Sequence, residues 1–190
     1  MRNKRNKPLK KYRDHKRQWA NCSECKLCQF RSQIVLYRGR LPCQVLFVGE
    51  APGVSENLFG VPFYGPAGKL LDKIIAKAWA GLSVSWGFTN LVACLPKESK
   101  EKGKEPPLWA IQACKKRLQQ IVMLAQPKGV VCVGALAEKH FQPPKGAKHA
   151  SIVHPAAILR ADVSQKGLAV QQAVGTVFDL ARRLGITAKV

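Results

Sequence analysis

Four short apolar runs, at residues 45–48, 88–94, 130–133 and 151–153, are each parted from the next by a stretch of helical periodicity. Runs of that length with apolar side chains at successive positions read as strands buried on both faces. The stretches 67–80, 107–125 and 135–141 read as helices, and 168–184 closes the chain as another. Such alternation leaves little choice of architecture: a three-layer α/β/α sandwich whose central, mostly parallel sheet has roughly four strands. A chain of 190 residues buries one such domain well and is too short for two. Segments 97–107 and 142–148, broken by prolines and lysines, read as exposed loops.

Charge narrows the class of partner. The formal net charge is +21, far beyond what solubility requires, and it points to a polyanion bound by release of phosphate counterions. Within residues 1–18 nine Lys and Arg stand against one Asp without apolar periodicity, so this run is expected to be a basic disordered tail, with the folded domain over 19–190. A merely solubilising tail is the plainer reading, yet the other 172 residues still carry +13. No stretch approaches the roughly 18 apolar residues that span a bilayer, and no apolar leader core precedes the domain. The expectation is an intracellular protein, cytoplasmic and nucleoid-associated, that does not use a membrane.

The loop after the first strand, residues 49–68, reads Gly-Glu-Ala-Pro-Gly and ends in Gly-Pro-Ala-Gly. It sets Glu50 and Glu56 on a glycine- and proline-rich segment at the carboxyl end of a buried strand, where open α/β folds place ligands. Cysteines supply a second cluster. Seven in an intracellular chain read as metal ligands or packed thiols rather than disulfides. Cys22 and Cys25 form a C-x2-C pair in a polar segment, Cys94 ends a strand, and Cys114 lies on the following helix, so the four could close one thiolate site. Zinc and an iron–sulfur cluster both accept four thiolates, and the residues leave that choice open. Cys28 extends the run to C-x2-C-x2-C and reads as a packed thiol before a substitute ligand, while Cys132 sits inside an apolar strand as core.

Together these motifs resemble the family 4 uracil-DNA glycosylases, the iron–sulfur branch of that superfamily, over residues 22–184. The resemblance rests on Cys22, Cys25, Leu27 and Arg31; on Glu50, Pro52, Gly53, Glu56, Gly60, Pro62, Phe63, Gly65, Ala67, Gly68, Leu70 and Leu71; on Thr89, Asn90, Val92 and Cys94; and on His154, Pro155, Ala156, Leu159 and Arg160. It implies a uracil-DNA glycosylase-like catalytic domain acting as a monomer on uracil in single- or double-stranded DNA, and a structural [4Fe–4S] cluster on Cys22, Cys25, Cys94 and Cys114. It further implies a base swung out of the stack, Phe63 as stacking platform, Asn90 reading the base edge, and Gly49 and Ala51 lining the substrate site. His154 would donate to the leaving base, Arg160 would assist at the backbone, and Glu50 or Glu56 would position water or stabilise the sugar cation.

Some positions depart from the family pattern. Asn57 stands where Asp is usual, Pro96 leads into Lys97, Glu98, Ser99 and Lys100 where Pro-Pro and Asn-Arg are frequent, and Tyr64 replaces a small aliphatic. These changes leave open a glycosylase for another deaminated or modified base. Trapping relatives carry a His-containing loop after the Asn motif; this loop has lysines and no His, so turnover is expected without a covalent crosslink. A non-catalytic binder of damaged or single-stranded DNA is the competing class, and it would have no use for the polar trio Glu50, Asn90 and His154.

Overall fold

The structure, a computed structural model, describes residues 7–96 and 105–188. Five strands, β1 (Arg38–Gly39), β2 (Val45–Gly49), β3 (Trp86–Asn90), β4 (Gly129–Val133) and β5 (Lys148–Ile152), form one sheet in the order β1-β3-β2-β4-β5. Every pairing is parallel except β1 with β3. Around it lie α1 (Lys7–Trp19), α2 (Val54–Phe59), α3 (Pro66–Ala78), α4 (Leu108–Ala125), α5 (Ala135–His140), α6 (Pro155–Arg160) and α7 (Val163–Arg183). The expected α/β/α sandwich is observed, with the two-residue β1 added at one edge.

Successive residues of a strand point to opposite faces, and the apolar runs feed two separate cores accordingly. Val45, Phe47, Val131 and Val133 meet Leu71, Ile74, Ile75, Val177 and Leu180 of α3 and α7 on one side. Leu46, Val48, Val130 and Cys132 meet Leu118, Ile121 and Ala137 of α4 and α5 on the other. The third strand ends four residues earlier than its apolar run suggests, at Asn90, where the carbonyls of Asn90 and Leu91 accept hydrogen bonds from the Arg117 side chain. The chain goes from β2 to β3 on one flank and then crosses to β4 on the other. That reversal opens a crevice at the carboxyl ends of β2 and β4, the position open α/β sheets use for ligands.

The expectation of a disordered tail over 1–18 does not hold for its described part. Residues 7–19 form α1, which packs on α4. Tyr12, His15 and Trp19 recur at helical spacing and make one docking face, with Tyr12 Oη donating to Tyr37 O (3.2 Å) and Trp19 Nε1 to Gln120 Oε1 (2.6 Å). Amphipathic rings stand where aliphatics would have betrayed the period. Most of the loop expected at 97–107 lies outside the described residues.

Candidate active site and cysteine centre

The crevice is an open cleft of about 910 Å³. It gathers Glu50, Ala51, Glu56, Phe63, Asn90, His154 and Arg160, so seven of the eight residues picked from sequence for catalysis or substrate line it. The eighth, Gly49, lies behind the wall. A β-carbon there would fall 2.5 Å from both Asn90 Oδ1 and Phe63 Cζ, so glycine is what lets the ring and the amide close on the end of β2.

Each polar group is held differently. His154 caps α6, and the Ala156 N–H donates to its Nδ1 at 3.1 Å. A ring nitrogen that accepts carries no proton, so neutral His154 bears its hydrogen on Nε2. Burial, and next the Arg160 charge, lower its pKa below the ordinary imidazole value, against a weaker opposing pull from Glu56, which keeps that neutral form. Glu50 is half-buried, and burial raises its pKa, offset in part by the Leu136 N–H that donates to Oε1 at 3.4 Å. Glu56 is engaged elsewhere: Oε2 accepts from Gly53 N (3.1 Å) and Oε1 from Gly65 N (2.8 Å). Its carboxylate thereby clamps the loop that carries Phe63. Phe63 adopts φ 54° and packs its ring against Phe88 at 5.4 Å, serving the core and the cleft at once. Arg160 is exposed at the rim.

Two departures prove remote from the cleft. Asn57 accepts from Ser32 N at 2.9 Å and donates to Ser32 Oγ at 3.1 Å, tying α2 to the preceding segment. It does not line the cleft, so the missing carboxylate removes nothing from it. Tyr64 turns outward, its ring 4.5 Å from that of Phe59, and does not line the cleft.

On the other side of β3, Cys22, Cys25, Cys94 and Cys114 line one small cavity with Arg31 and Arg117. Cys28 is half-buried and outside that lining, and Cys132 is buried core. Arg31 Nη1 donates to Cys94 Sγ at 3.7 Å. Burial pushes the Cys94 thiol up to about 11 and raises that of Cys25. Among the described residues no three His, Cys, Asp or Glu are grouped to hold a single metal ion.

Residues 37–175 match the profile of the Uracil DNA glycosylase superfamily. The chain belongs to that superfamily. It is similar to the type-4 uracil-DNA glycosylases of Sulfurisphaera tokodaii, at 36% identity over 72% of this chain and 60% of the relative, and of Pyrobaculum aerophilum, at 33% over 63% and 58%. That of Saccharolobus solfataricus is 36% identical over 60% of this chain and 50% of its own length. The chain thus spans between half and three fifths of these relatives. The crystal structure of wild-type Pedobacter heparinus SMUG2 shares the fold, with a TM-score of 0.53 at 14% identity over 74% of this chain and 76% of that one.

All the cleft residues described above fall within the superfamily match, as do Cys94 and Cys114, whereas Cys22 and Cys25 precede it. Sequence reasoning overlooked two residues of the site. Gly134, at φ 99°, leaves room for Glu50 and His154 to approach, and a β-carbon there would overlap the Glu50 carboxylate. A glycine directly after an apolar strand was the available signal. Arg117 carried none, since it reads as one more cation in a Lys-Lys-Arg run on a helix.

Proposed function

We propose that the protein is a monofunctional DNA glycosylase that flips uracil out of DNA and hydrolyses its N-glycosidic bond, leaving an abasic site. The observation that carries this reading is the hydrogen bond from Ala156 N–H to His154 Nδ1, which assigns the ring proton to Nε2. With Nδ1 accepting from the backbone, Nε2–H is a neutral donor held at the cleft that Asn90, Phe63 and Glu50 also line. In the proposed reaction uracil stacks on Phe63, while Asn90 offers a donor to O4 and an acceptor to N3–H. As the C1′–N1 bond breaks, negative charge grows on the base and Nε2–H donates to O2, where a pre-placed donor counts most. The sugar cation takes up water at C1′, and the Glu50 carboxylate orients that water and accepts its proton. Glu56 holds the loop, and Arg160 takes a phosphate. No motif places a lysine to form a Schiff base, so base release without strand cleavage is expected. DNA as partner, action as a monomer and an intracellular, nucleoid-associated site of action belong to this reading; among the described residues no helix is long and apolar enough to cross a membrane.

The donor set of the cysteine cavity fits an iron–sulfur group. Four thiolates are soft ligands, and Arg31 and Arg117 offset the negative charge they acquire on metallation. Following the resemblance to the iron–sulfur branch, the cluster proposed for Cys22, Cys25, Cys94 and Cys114 is [4Fe–4S], with zinc, which also accepts four thiolates, as the alternative. Its chemistry here is structural, joining residues 22–25, the segment after β3, and α4. A brown protein absorbing broadly in the visible blue supports this, and a colourless zinc protein overturns it.

The deciding test is single-turnover treatment of oligonucleotides bearing uracil, 5-hydroxymethyluracil, hypoxanthine or thymine, followed by alkali, with Asn90→Ala as control. Alkali-sensitive breaks at uracil, lost in the variant, are expected. Breaks only at another base would replace the substrate, and none from metal-loaded protein would leave a DNA-binding module.

A further inference from the structure

Arg117 lies on α4 one turn beyond Cys114 and is 1% exposed. Its Nη1 donates to Thr89 Oγ1 at 3.0 Å, and its Nη2 to Asn90 O at 2.7 Å and Leu91 O at 2.8 Å. Thr89 passes the connection on by donating to Leu36 O at 2.9 Å. Toward the other side, the guanidinium helps line the cysteine cavity beside Cys114, and its Nε has no hydrogen-bond partner among the described residues. None of the ion pairs among the described residues includes it. A cation buried in that way without a countercharge is strongly disfavoured, and the cavity it faces is lined by the sulfurs of Cys22, Cys94 and Cys114. One side chain thus touches both the wall of the cysteine cavity and the backbone of the residue that lines the base cleft.

We infer that Arg117 is a positioning residue: it fixes the Thr89–Leu91 backbone, and so the placement of Asn90, and draws its countercharge from the thiolates of the cysteine centre. Base recognition is thereby coupled to occupancy of that centre. The inference rests on the proposed reading of Asn90 as the base reader and of the four cysteines as ligands. Geometry and charge separate in substitution. Met keeps much of the volume and neither property, while Lys keeps the charge without the planar fork that serves three acceptors at once.

The test uses full-length protein purified with its metal centre, as wild type, Arg117→Lys and Arg117→Met. Four quantities are read: single-turnover uracil excision, affinity for undamaged DNA, the reduction potential of the centre, and hydrogen exchange at residues 89–92. For Arg117→Met we expect excision to fall about 10- to 100-fold, in line with losses at residues that orient a site through another group. Affinity for undamaged DNA should stay within twofold, and the potential should drop as a positive charge leaves the thiolates. In Arg117→Lys the potential should return toward wild type while excision stays depressed. Hydrogen exchange at residues 89–92 should quicken in both. A metal-loaded Arg117→Met protein with excision within twofold of wild type, or with an unmoved potential, overturns the inference. If Arg117→Met does not fold, Arg117→Lys decides alone: normal excision and normal exchange at 89–92 overturn it. Wild-type protein inactive on uracil would instead overturn the proposed function, and the potential and exchange readings would still judge the link.

Discussion

Glu50 and Glu56 are both acids on one loop, and their surroundings give them different work. Burial raises the Glu50 pKa above the ordinary carboxylate value, so its proton-accepting form is lost on the acid side at a higher pH than for a free glutamate. If the carboxylate receives the proton of the attacking water, excision falls as pH drops through that raised value. Glu50→Gln should lower single-turnover excision by about 10²- to 10⁴-fold and erase that acid limb. A pH profile of excision for both proteins checks this, and a limb that survives in Glu50→Gln would assign it to another group. Tyr64 makes the contrary case. Its ring lies on Phe59 and not in the cleft, so Tyr64→Ala should leave the preference for uracil over thymine within twofold, measured on paired oligonucleotides.

The short loop helix α2 is where local chemistry fixes cleft geometry. Glu56 caps that helix by accepting from Gly53 N, and reaches forward to Gly65 N just before α3. Glu56→Gln keeps the shape but turns one acceptor into a donor facing an N–H, and should cost about 1–3 kcal/mol, read as a lower denaturant midpoint. The same comparison shows what a sequence can convey. Buried strands and the long helices α3, α4 and α7 announced themselves because each repeats its apolar pattern over enough residues to define a period. With six residues apiece, α2 and α6 are too short for that and are set by capping contacts and by Pro155 at the first position of α6. Helix α1 was hidden by its mostly polar composition and its ring-built face. The cleft residues were legible because strand ends in a parallel sheet meet in space, whereas the work of Arg117 depends on which way one helix face turns. His15 on α1 tests that docking through pH: burial, with Arg117 nearby, lowers its pKa to about 4. Unfolded chains then bind the proton first, so this contribution to stability is intact above pH ~6.5 and lost as pH falls toward 4. His15→Gln should flatten that part of the melting-temperature profile between pH 6.5 and 4.

On the proposed function, the net charge of +21 carried by the chain raises the question of which cations would meet DNA. Helix α1 docks through Tyr12, His15 and Trp19, leaving Lys10, Lys11, Arg13 and Lys16 exposed on its outer side. Removing residues 1–18 would strip Tyr12 and His15 from their seats against Tyr37 and Gln120, so truncation would mix the removal of charge with the removal of packing. Replacing Lys10, Lys11, Arg13 and Lys16 together by Gln removes charge alone, since none of the four is buried. Each phosphate that is no longer neutralised should reduce the slope of log affinity against log salt by about 0.9, with melting temperature and single-turnover excision at saturating protein unchanged. On the proposed function, those three outcomes would divide the molecule into a basic outer face that gathers DNA and a cleft that acts on one base. An unaltered salt slope would place the DNA contacts on the cations of the cleft side, and a fall in excision at saturation would show that α1 takes part in holding the substrate at the cleft.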